Sequence, residues 1–350
     1  VKNGAMSIMA SYSSWNGAKM HGNRSLLTGT LKEELGFQGF VVSDWQAVDQ
    51  LDGTYEEQLA NAINAGIDMV MVPDRYESFI ESMKSNIESN KISMSRIDDA
   101  VRRILKTKMM MGLFDRPYAN RKLLSDVGSP AHREVAREAV RKSVVLLKNE
   151  KNVLPIKPVT KTIYVVGKKS DDIGSQCGGW SMSWQGETGK ITEGTTIYEA
   201  IRKGAPEGTT IIYNETGKGM KNADNTLCVL VIGEKPYAEY KGDSSTLTLS
   251  SDDMVLAKRC HESGIPTVTI LLSGRPVILD GLLDTSNALL AAWLPGTEGE
   301  GVADILFGKY APTGKLSMSW PRSVKQVPVN VGDVTYDPLF PFGFGLTYKK

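Results

Sequence analysis

The feature that most limits the fold is a regular exchange between short apolar runs and amphipathic segments, sustained along the 350 residues. Residues 40–42, 163–166, 227–232, 268–272 and 288–293 are stretches of Val, Ile, Leu, Ala and aromatics broken only by Cys228 and Thr269, most bounded by Gly, Pro, Asn or Ser. Runs of that length between turn signals read as buried strands. Between them lie helical patterns such as EEQLANAINAG, TIYEAIRKG and DDMVLAKRCHES. Strands that alternate with helices pair in parallel and are covered on both faces, so the pattern predicts the α/β class.

Up to about Asp115 the chain reads in order as strand (AMSIMASY), helix (NRSLLTGTLKEELG, closed by Gly36), strand (GFVVSD), helix (EEQLANAINAG) and strand (DMVMV). Two further helices follow, YESFIESMKSNIESN and SRIDDAVRRILKTKMMMG. In the second, Ser95 with Asp98 resembles a capping box, and Gly112 stands where a C-terminal cap belongs. A closed (β/α)8 barrel takes roughly 250 residues, so this segment cannot close by itself. Residues 116–130 are polar, hold two prolines and suit a linker. HREVAREAVRKSVVLLKN reads as an amphipathic helix. From Lys161 a second alternating series runs through KLSMSW, and the tail from Arg322, rich in Pro, Gly and aromatics, is expected to lie extended over the body.

Composition removes several function classes. Lys and Arg number 41 against 40 Asp and Glu, with no long run of one sign, so nucleic acid is not an expected partner. Cys177, Cys228 and Cys260 are too few and too scattered for a disulfide framework or a metal site. Three histidines (His21, His132 and His261) do not make a His-rich metal centre. No metal and no cofactor are expected. No apolar stretch reaches membrane-spanning length. The opening residues VKNGAMSIMA lack the basic start and long apolar core of a signal peptide. The chain starts in mid-pattern, so the compartment stays open, with extracellular or periplasmic preferred to cytoplasmic.

Two strand ends carry the chemistry. The run 40–42 ends in Ser43-Asp44-Trp45, which places a carboxylate and an indole where α/β proteins face their ligand crevice. A carboxylate beside a flat ring suits work on a sugar. A second acid belongs on another strand end, and GEKPYAEYKGD, directly after LCVLVIG, offers Glu234, Glu239 and Asp243. Gly178-Gly179 lacks the G-x-G-x-x-G arrangement, which argues against dinucleotide binding. Ser43 and Ser273 have no His/Asp companions, which argues against a serine hydrolase.

The stretch ASYSSWNGAKMHGNRSLLTGTLKEELGFQGFVVSDW, with GIDMVMVP, MGLFDRPYA, QCGGWSMSWQGETG, GEKPYAEYKGD, AAWLPGTEGEGVADILFG and NVGDVTYDPLFPFGFGLTY in the same order, closely resembles glycoside hydrolase family 3. More narrowly it is similar to that family's exo-β-glucanases and β-glucosidases. The resemblance implies the C-terminal part of a TIM-like barrel over 1–115, a linker over 116–130, a six-stranded α/β sandwich over 131–321 and an extended tail over 322–350. It implies Asp44 as nucleophile and Glu239, within Pro-Tyr-Ala-Glu, as acid/base. Trp45 and Trp184 would clamp the sugar at the leaving-group subsite, and Trp180 would either wall that subsite or belong to the core. Tyr12 would support Asp44 with a hydroxyl that keeps it ionised. His21 and Arg24 match positions near the cleft and are assigned structural roles. Glu239 needs a raised pKa, which burial against Tyr237 and the sugar would supply.

The resemblance also implies a gap. Relatives carry upstream barrel residues (an aspartate, an arginine and a Lys-His pair) that hold the glycone, and none of those positions exists here. The chain reads as a truncated sequence or one part of a split enzyme, whose expected partner is the missing N-terminal barrel portion. The family's N-acetylglucosaminidase branch uses a His-Asp acid/base and often lacks the second domain, so this chain does not fit it. The expected activity is that of a retaining, exo-acting β-glucosidase or β-glucan glucohydrolase, releasing glucose from the non-reducing ends of β-linked gluco-oligosaccharides and β-glucosides. The alternatives are a non-catalytic sugar-binding chain and a β-xylosidase or α-arabinofuranosidase of the same family.

Overall fold

The computed structural model describes residues 1–348, which form two compact units, one of residues 1–122 and one from Leu123 onward.

In the first unit β1 (Ser7–Met9) pairs in parallel with β4 (Phe40–Val42), with Ser7 opposite Phe40 and Met9 opposite Val42. Gly39 lets the strands meet, since a Cβ there would lie 2.1 Å from the Met6 carbonyl oxygen. Between them a two-rung hairpin, β2 (Ser14–Trp15) and β3 (Ala18–Lys19), turns at Asn16-Gly17, both with positive φ (48° and 82°). That is the pairing a two-residue hairpin turn demands. The following helix, Ser25–Glu34, is wound wider than an α-helix: the Leu35 amide reaches the Thr30 carbonyl (2.9 Å). Gly36, at φ 68°, turns the chain out of it.

Three α-helices complete this unit: α1 (Tyr55–Ala65), α2 (Tyr76–Glu88) and α3 (Met94–Met110). Thr54 and Glu57 form a reciprocal capping box on α1. The cap of α3 is Ser93, whose hydroxyl accepts from the Arg96 amide at 3.2 Å, and not the expected Ser95. Ser93 has the extended backbone a cap needs, whereas Ser95 already lies inside the helix. Beyond the helix the Gly112 and Leu113 amides bond the Met109 and Lys108 carbonyls (2.9 and 3.0 Å), a Schellman ending.

The DMVMV run corrects an expectation: it contributes one bridge, Met69 to Val42, and no strand. The Asp68 and Met69 amides share the Val41 carbonyl (2.8 and 3.1 Å), and the Met71 amide goes to the Ser43 hydroxyl (2.8 Å). The Met69 bond belongs to the bridge itself, but the Met71 amide, next in line, goes to the Ser43 side chain instead of its main-chain carbonyl, and the ladder stops there.

β4 is held from below by a buried ionic cluster. The Asp68 carboxylate, side chain 0 % exposed, accepts from the Val41 amide (2.8 Å), from Lys32 Nζ (2.8 Å) and from Arg96. Lys32 donates also to the Gly66 carbonyl (2.7 Å), and Arg96 to the Ile63 and Ile67 carbonyls. Burial depresses the Lys32 pKa, and the Asp68 carboxylate opposes that shift.

The second unit opens with α4 (Pro130–Ser143), capped by Ser129 with Pro130 in its first turn. The expected linker therefore gives way to helix at Pro130, whose fixed φ and missing N–H suit a first helical position. The helix expected through residue 149 stops at Ser143, and β5 (Val145–Asn149) follows. Val144 caps the helix, and β-branched Val145 with the apolar Leu146-Leu147 is buried in a sheet instead.

The sheet has six strands in the order β5, β10 (Ala288–Trp293), β9 (Thr267–Leu272), β8 (Thr226–Gly233), β6 (Thr162–Val166), β7 (Thr210–Asn214). All neighbours are parallel except β5 with β10. Along the wholly buried β8, Val229 and Val231 face one core while Cys228, Leu230 and Ile232 face another. The first core is covered by α4, α6 (Ile197–Gly204) and α9 (Gly299–Leu306), and the second by α7 (Ser251–Glu262) and α8 (Leu282–Thr285). KLSMSW forms no strand. It bonds to the returning tail through Leu316 to Phe344 and Trp320 to Phe340 (both 2.8 Å), and Leu346 reaches the Leu146 carbonyl (2.9 Å). Trp320, fully buried, donates its indole N–H to the Val277 carbonyl at 2.8 Å.

Candidate active site

In the first unit, Ser43, Asp44 and Trp45 leave the carboxyl end of β4, and each amide has its own acceptor. Ser43 N–H goes to the Met69 carbonyl (2.9 Å), Asp44 N–H to His21 Nε2 (2.9 Å), and Trp45 N–H to Asp44 Oδ1 (2.7 Å). Ser43 is buried and donates its hydroxyl to the Asp44 carbonyl (2.9 Å). The Tyr12 hydroxyl donates to the Trp45 carbonyl, so it fastens the residue after Asp44. Gln46 then takes a left-handed turn, φ 52°. The result is a half-buried carboxylate on a main chain fixed at five atoms, beside the Trp45 ring, 59 % exposed.

His21, matched to a position near the cleft and assigned a structural role on sequence, touches the Asp44 main chain. The sequence signal that leads to it is Asn16-Gly17, since the hairpin returns the chain, with the Met20 amide on the Ser13 carbonyl (3.1 Å), to set His21 edge-on to Tyr12 (6.3 Å between ring centres). Burial lowers its pKa, with Asp44 acting to raise it and Lys19 to lower it.

In the second unit two loops meet at the carboxyl ends of β6 and β8. The chain goes outward from β6 to β7 and returns to β8 on the other side of β6. Such a reversal is where open α/β sheets bind ligands. One loop, 178–186, follows the short helix α5 (Ile173–Cys177), and the other, 234–243, follows β8. Glycines let them touch. A Cβ on Gly179 would lie 2.1 Å from the Tyr237 carbonyl oxygen, and one on Gly186 would lie 2.3 Å from the Gly178 oxygen and 2.9 Å from Pro236. Gly178-Gly179 thus serves close backbone approach. The Gln185 side-chain carbonyl accepts the Ala238 amide (3.1 Å), locking the residue before Glu239, while its Nε2 is buried without a partner among the described residues.

The three acids of the second loop separate by environment. Glu234 accepts from Arg275 Nη2 (2.7 Å), Arg275 Nε (3.0 Å) and the Tyr237 hydroxyl (3.0 Å). The Arg275 guanidinium also lies 4.6 Å from the Tyr237 ring centre. Burial and the Glu234 charge push the Tyr237 pKa up to about 12. Glu239 is exposed, has a left-handed backbone (φ 51°), and among the described residues its carboxylate makes no hydrogen bond or ion pair. A non-glycine residue held there is a strain of the kind found at functional positions. Its expected burial against Tyr237 is not what the unit shows, because that ring is committed to Glu234 and Arg275. Asp243 is exposed as well. Beside Glu239, Tyr240 meets Trp184 edge-on (5.8 Å), and Trp184 lies 6.4 Å from Trp180. Trp180 and Met182 are also at positive φ (58° and 63°). Among the described residues no group of three or more His, Cys, Asp or Glu is placed to hold a metal ion, and no helix is long and apolar enough to cross a membrane.

Acidic side chains next to exposed ring faces at strand ends are the equipment of a carbohydrate-active α/β protein. The chain belongs to glycosyl hydrolase family 3: that family's N terminal domain matches residues 1–107 and its C-terminal domain matches residues 144–348. Among solved structures, an exo-1,3/1,4-beta-glucanase from a Pseudoalteromonas species (its Q683A mutant) is 43% identical, with a TM-score of 0.91 over 99% of this chain and 58% of that one. A lysosomal beta glucosidase from Dictyostelium discoideum is 35% identical over 99% of this chain and 46% of its own length. A periplasmic beta-glucosidase from Salmonella typhimurium is 32% identical over 99% and 52%. The chain therefore spans about half the length of the curated relatives it matches.

Proposed function

We propose that this chain supplies both catalytic carboxylates of a retaining, exo-acting β-glucosidase or β-glucan glucohydrolase, with Asp44 as nucleophile and Glu239 as acid/base. The observation that carries the reading is the contrast among the acids: Asp44 is fixed through its main chain at a strand end, Glu234 is consumed by Arg275 and Tyr237, and Glu239 stands uncommitted among rings.

Retention requires the two carboxyl groups to work roughly 5–5.5 Å apart in the assembled enzyme. Asp44 attacks the anomeric carbon while Glu239 protonates the departing glycosidic oxygen, leaving a glucosyl ester on Asp44. Glu239, now ionised, takes a proton from water as the water attacks that ester, and glucose leaves with both carboxyls restored. The sugar's arrival at Glu239 supplies the desolvation that raises its pKa. Trp45, Trp184 and Trp180 offer ring faces to the leaving-group sugar, which read few hydroxyls and so admit several linkages. Tyr12 steadies the loop beyond Asp44. The hydroxyls of the glucose itself are held by residues of the rest of the barrel, the proposed partner segment. A location outside the cytoplasm accords with the lysosomal and periplasmic relatives.

The test is hydrolysis of aryl β-glucosides, and of aryl β-xylosides for comparison, by this chain and by the chain preceded by a family barrel segment. Glucoside turnover by the joined form, abolished in Asp44→Asn and lowered about 10²–10⁴-fold in Glu239→Gln, is expected. The Glu239→Gln loss should shrink as the leaving group becomes more acidic. Preference for the xyloside, or turnover in Asp44→Asn, would contradict the reading.

A further inference from the structure

We propose that His21 is a positioning residue for Asp44, holding its main chain through a hydrogen bond that exists only while the imidazole is neutral. This rests on the reading of Asp44 as the nucleophile.

The bond runs from the Asp44 amide to His21 Nε2 at 2.9 Å, and the ring is 2 % exposed, so water does not compete for it. An Nε2 that accepts leaves the ring proton on Nδ1. Of the three amides that carry residues 43–45, Ser43 uses a backbone carbonyl and Trp45 uses the Asp44 carboxylate itself. Only the middle one depends on a side chain that titrates near neutrality. Its loss would free the residue about which the carboxylate turns. It would also loosen the Trp45 amide that orients Oδ1, and the Trp45 carbonyl held by Tyr12.

Protonation would replace the acceptor with an N–H aimed at another N–H, and the bond would break. Burial is the strongest influence and keeps the ring neutral. Of the charged groups acting on it, Asp44 at the end of β4 favours the proton and Lys19 on the hairpin opposes it. The folded pKa thus lies below the ordinary value of 6.5. A depressed folded pKa means that the unfolded chain binds the proton first as pH falls. The contribution to stability is therefore complete above the unfolded pKa and is lost as pH falls towards the folded one. The bond to Asp44 persists through that range, and positioning fails only as pH falls through the folded pKa itself, where the imidazole takes its proton.

The kinetic test uses His21→Leu and His21→Gln in the joined form that hydrolyses aryl β-glucosides. Leu removes the acceptor and should lower kcat about tenfold, the worth of one neutral hydrogen bond, with a smaller change in KM. Gln offers a carbonyl that does not titrate; it should restore most of kcat and move the acidic limb of the pH–rate curve downward. Equal losses in both variants with an unmoved limb, or an unimpaired Leu variant, would overturn the proposal. Histidine-selective ¹⁵N NMR of the unmodified chain gives a readout independent of activity and of whether the variants fold. Only three imidazoles contribute, and His132 and His261, both exposed, can be removed in turn for assignment. An unprotonated Nε2 on His21 at neutral pH, coupled across the bond to the Asp44 amide, is expected; a protonated Nε2 would overturn the proposal. If no form of the chain hydrolyses glucosides, the reading of Asp44 fails while the NMR result still decides the bond.

Discussion

At the residue scale the first unit depends on a carboxylate that performs no chemistry. Asp68 joins the β4 main chain to two cations, Lys32 and Arg96, whose side chains are 5 % and 15 % exposed. Removing one partner of a buried ion group leaves the others charged and desolvated, which costs about 3–5 kcal/mol. Asp68→Asn should therefore lower the unfolding free energy of the first unit by about that amount, read by urea denaturation followed through Trp45. A loss below about 1 kcal/mol, the worth of an exposed pair, would show that water enters the cluster. Asp44 was legible at this scale because an acid-aromatic pair ended an apolar run. His21 was not, because the contact that matters joins residues 23 positions apart through a backbone amide, which no side-chain pattern records.

Among elements, reading was most reliable where periodicity was long. α1, α2, α3 and, in the second unit, β6, β8, β9 and β10 lie where apolar spacing puts them. It failed where partners decide the outcome. Residues 145–149 continue an amphipathic helix on paper, but the open edge beside β10 takes them as a strand. DMVMV has strand composition, but beyond the Met69 bridge its Met71 amide goes to the Ser43 hydroxyl and not to a main-chain carbonyl. The Asn16-Gly17 hairpin went unread because its two-residue arms carry no alternation. The meeting of loops 178–186 and 234–243 was hidden for a different reason: glycines report only that space is short, not whose backbone fills it. That meeting makes a prediction. Gly179→Ala puts a methyl into the Tyr237 carbonyl, and the loop bearing Glu239 must shift. Hydrolysis by the joined form should fall about 10²-fold with the melting of the second unit little changed, since misplacing a catalytic group by about 1 Å costs that much. Full activity in this variant would mean that the two loops do not set the position of Glu239.

Over the whole molecule, each unit has its own core and contributes one of the two proposed carboxylates. A three-layered α/β/α sandwich with both sheet faces buried gives Glu239 a rigid base at the switch between β6 and β8, while the Asp68 cluster gives Asp44 one at the end of β4. The central claim is that Asp44 forms a covalent bond to the sugar. The most direct measurement is to trap that bond with a 2-deoxy-2-fluoro-β-glucoside carrying a dinitrophenolate leaving group, then locate the label by peptide mass spectrometry. One fluoroglucosyl group is expected on the peptide containing Asp44, and none when Asp44→Asn is treated alike. A label on Glu239 or any other carboxylate, or steady turnover of the ordinary glucoside with no trapped ester, would contradict it.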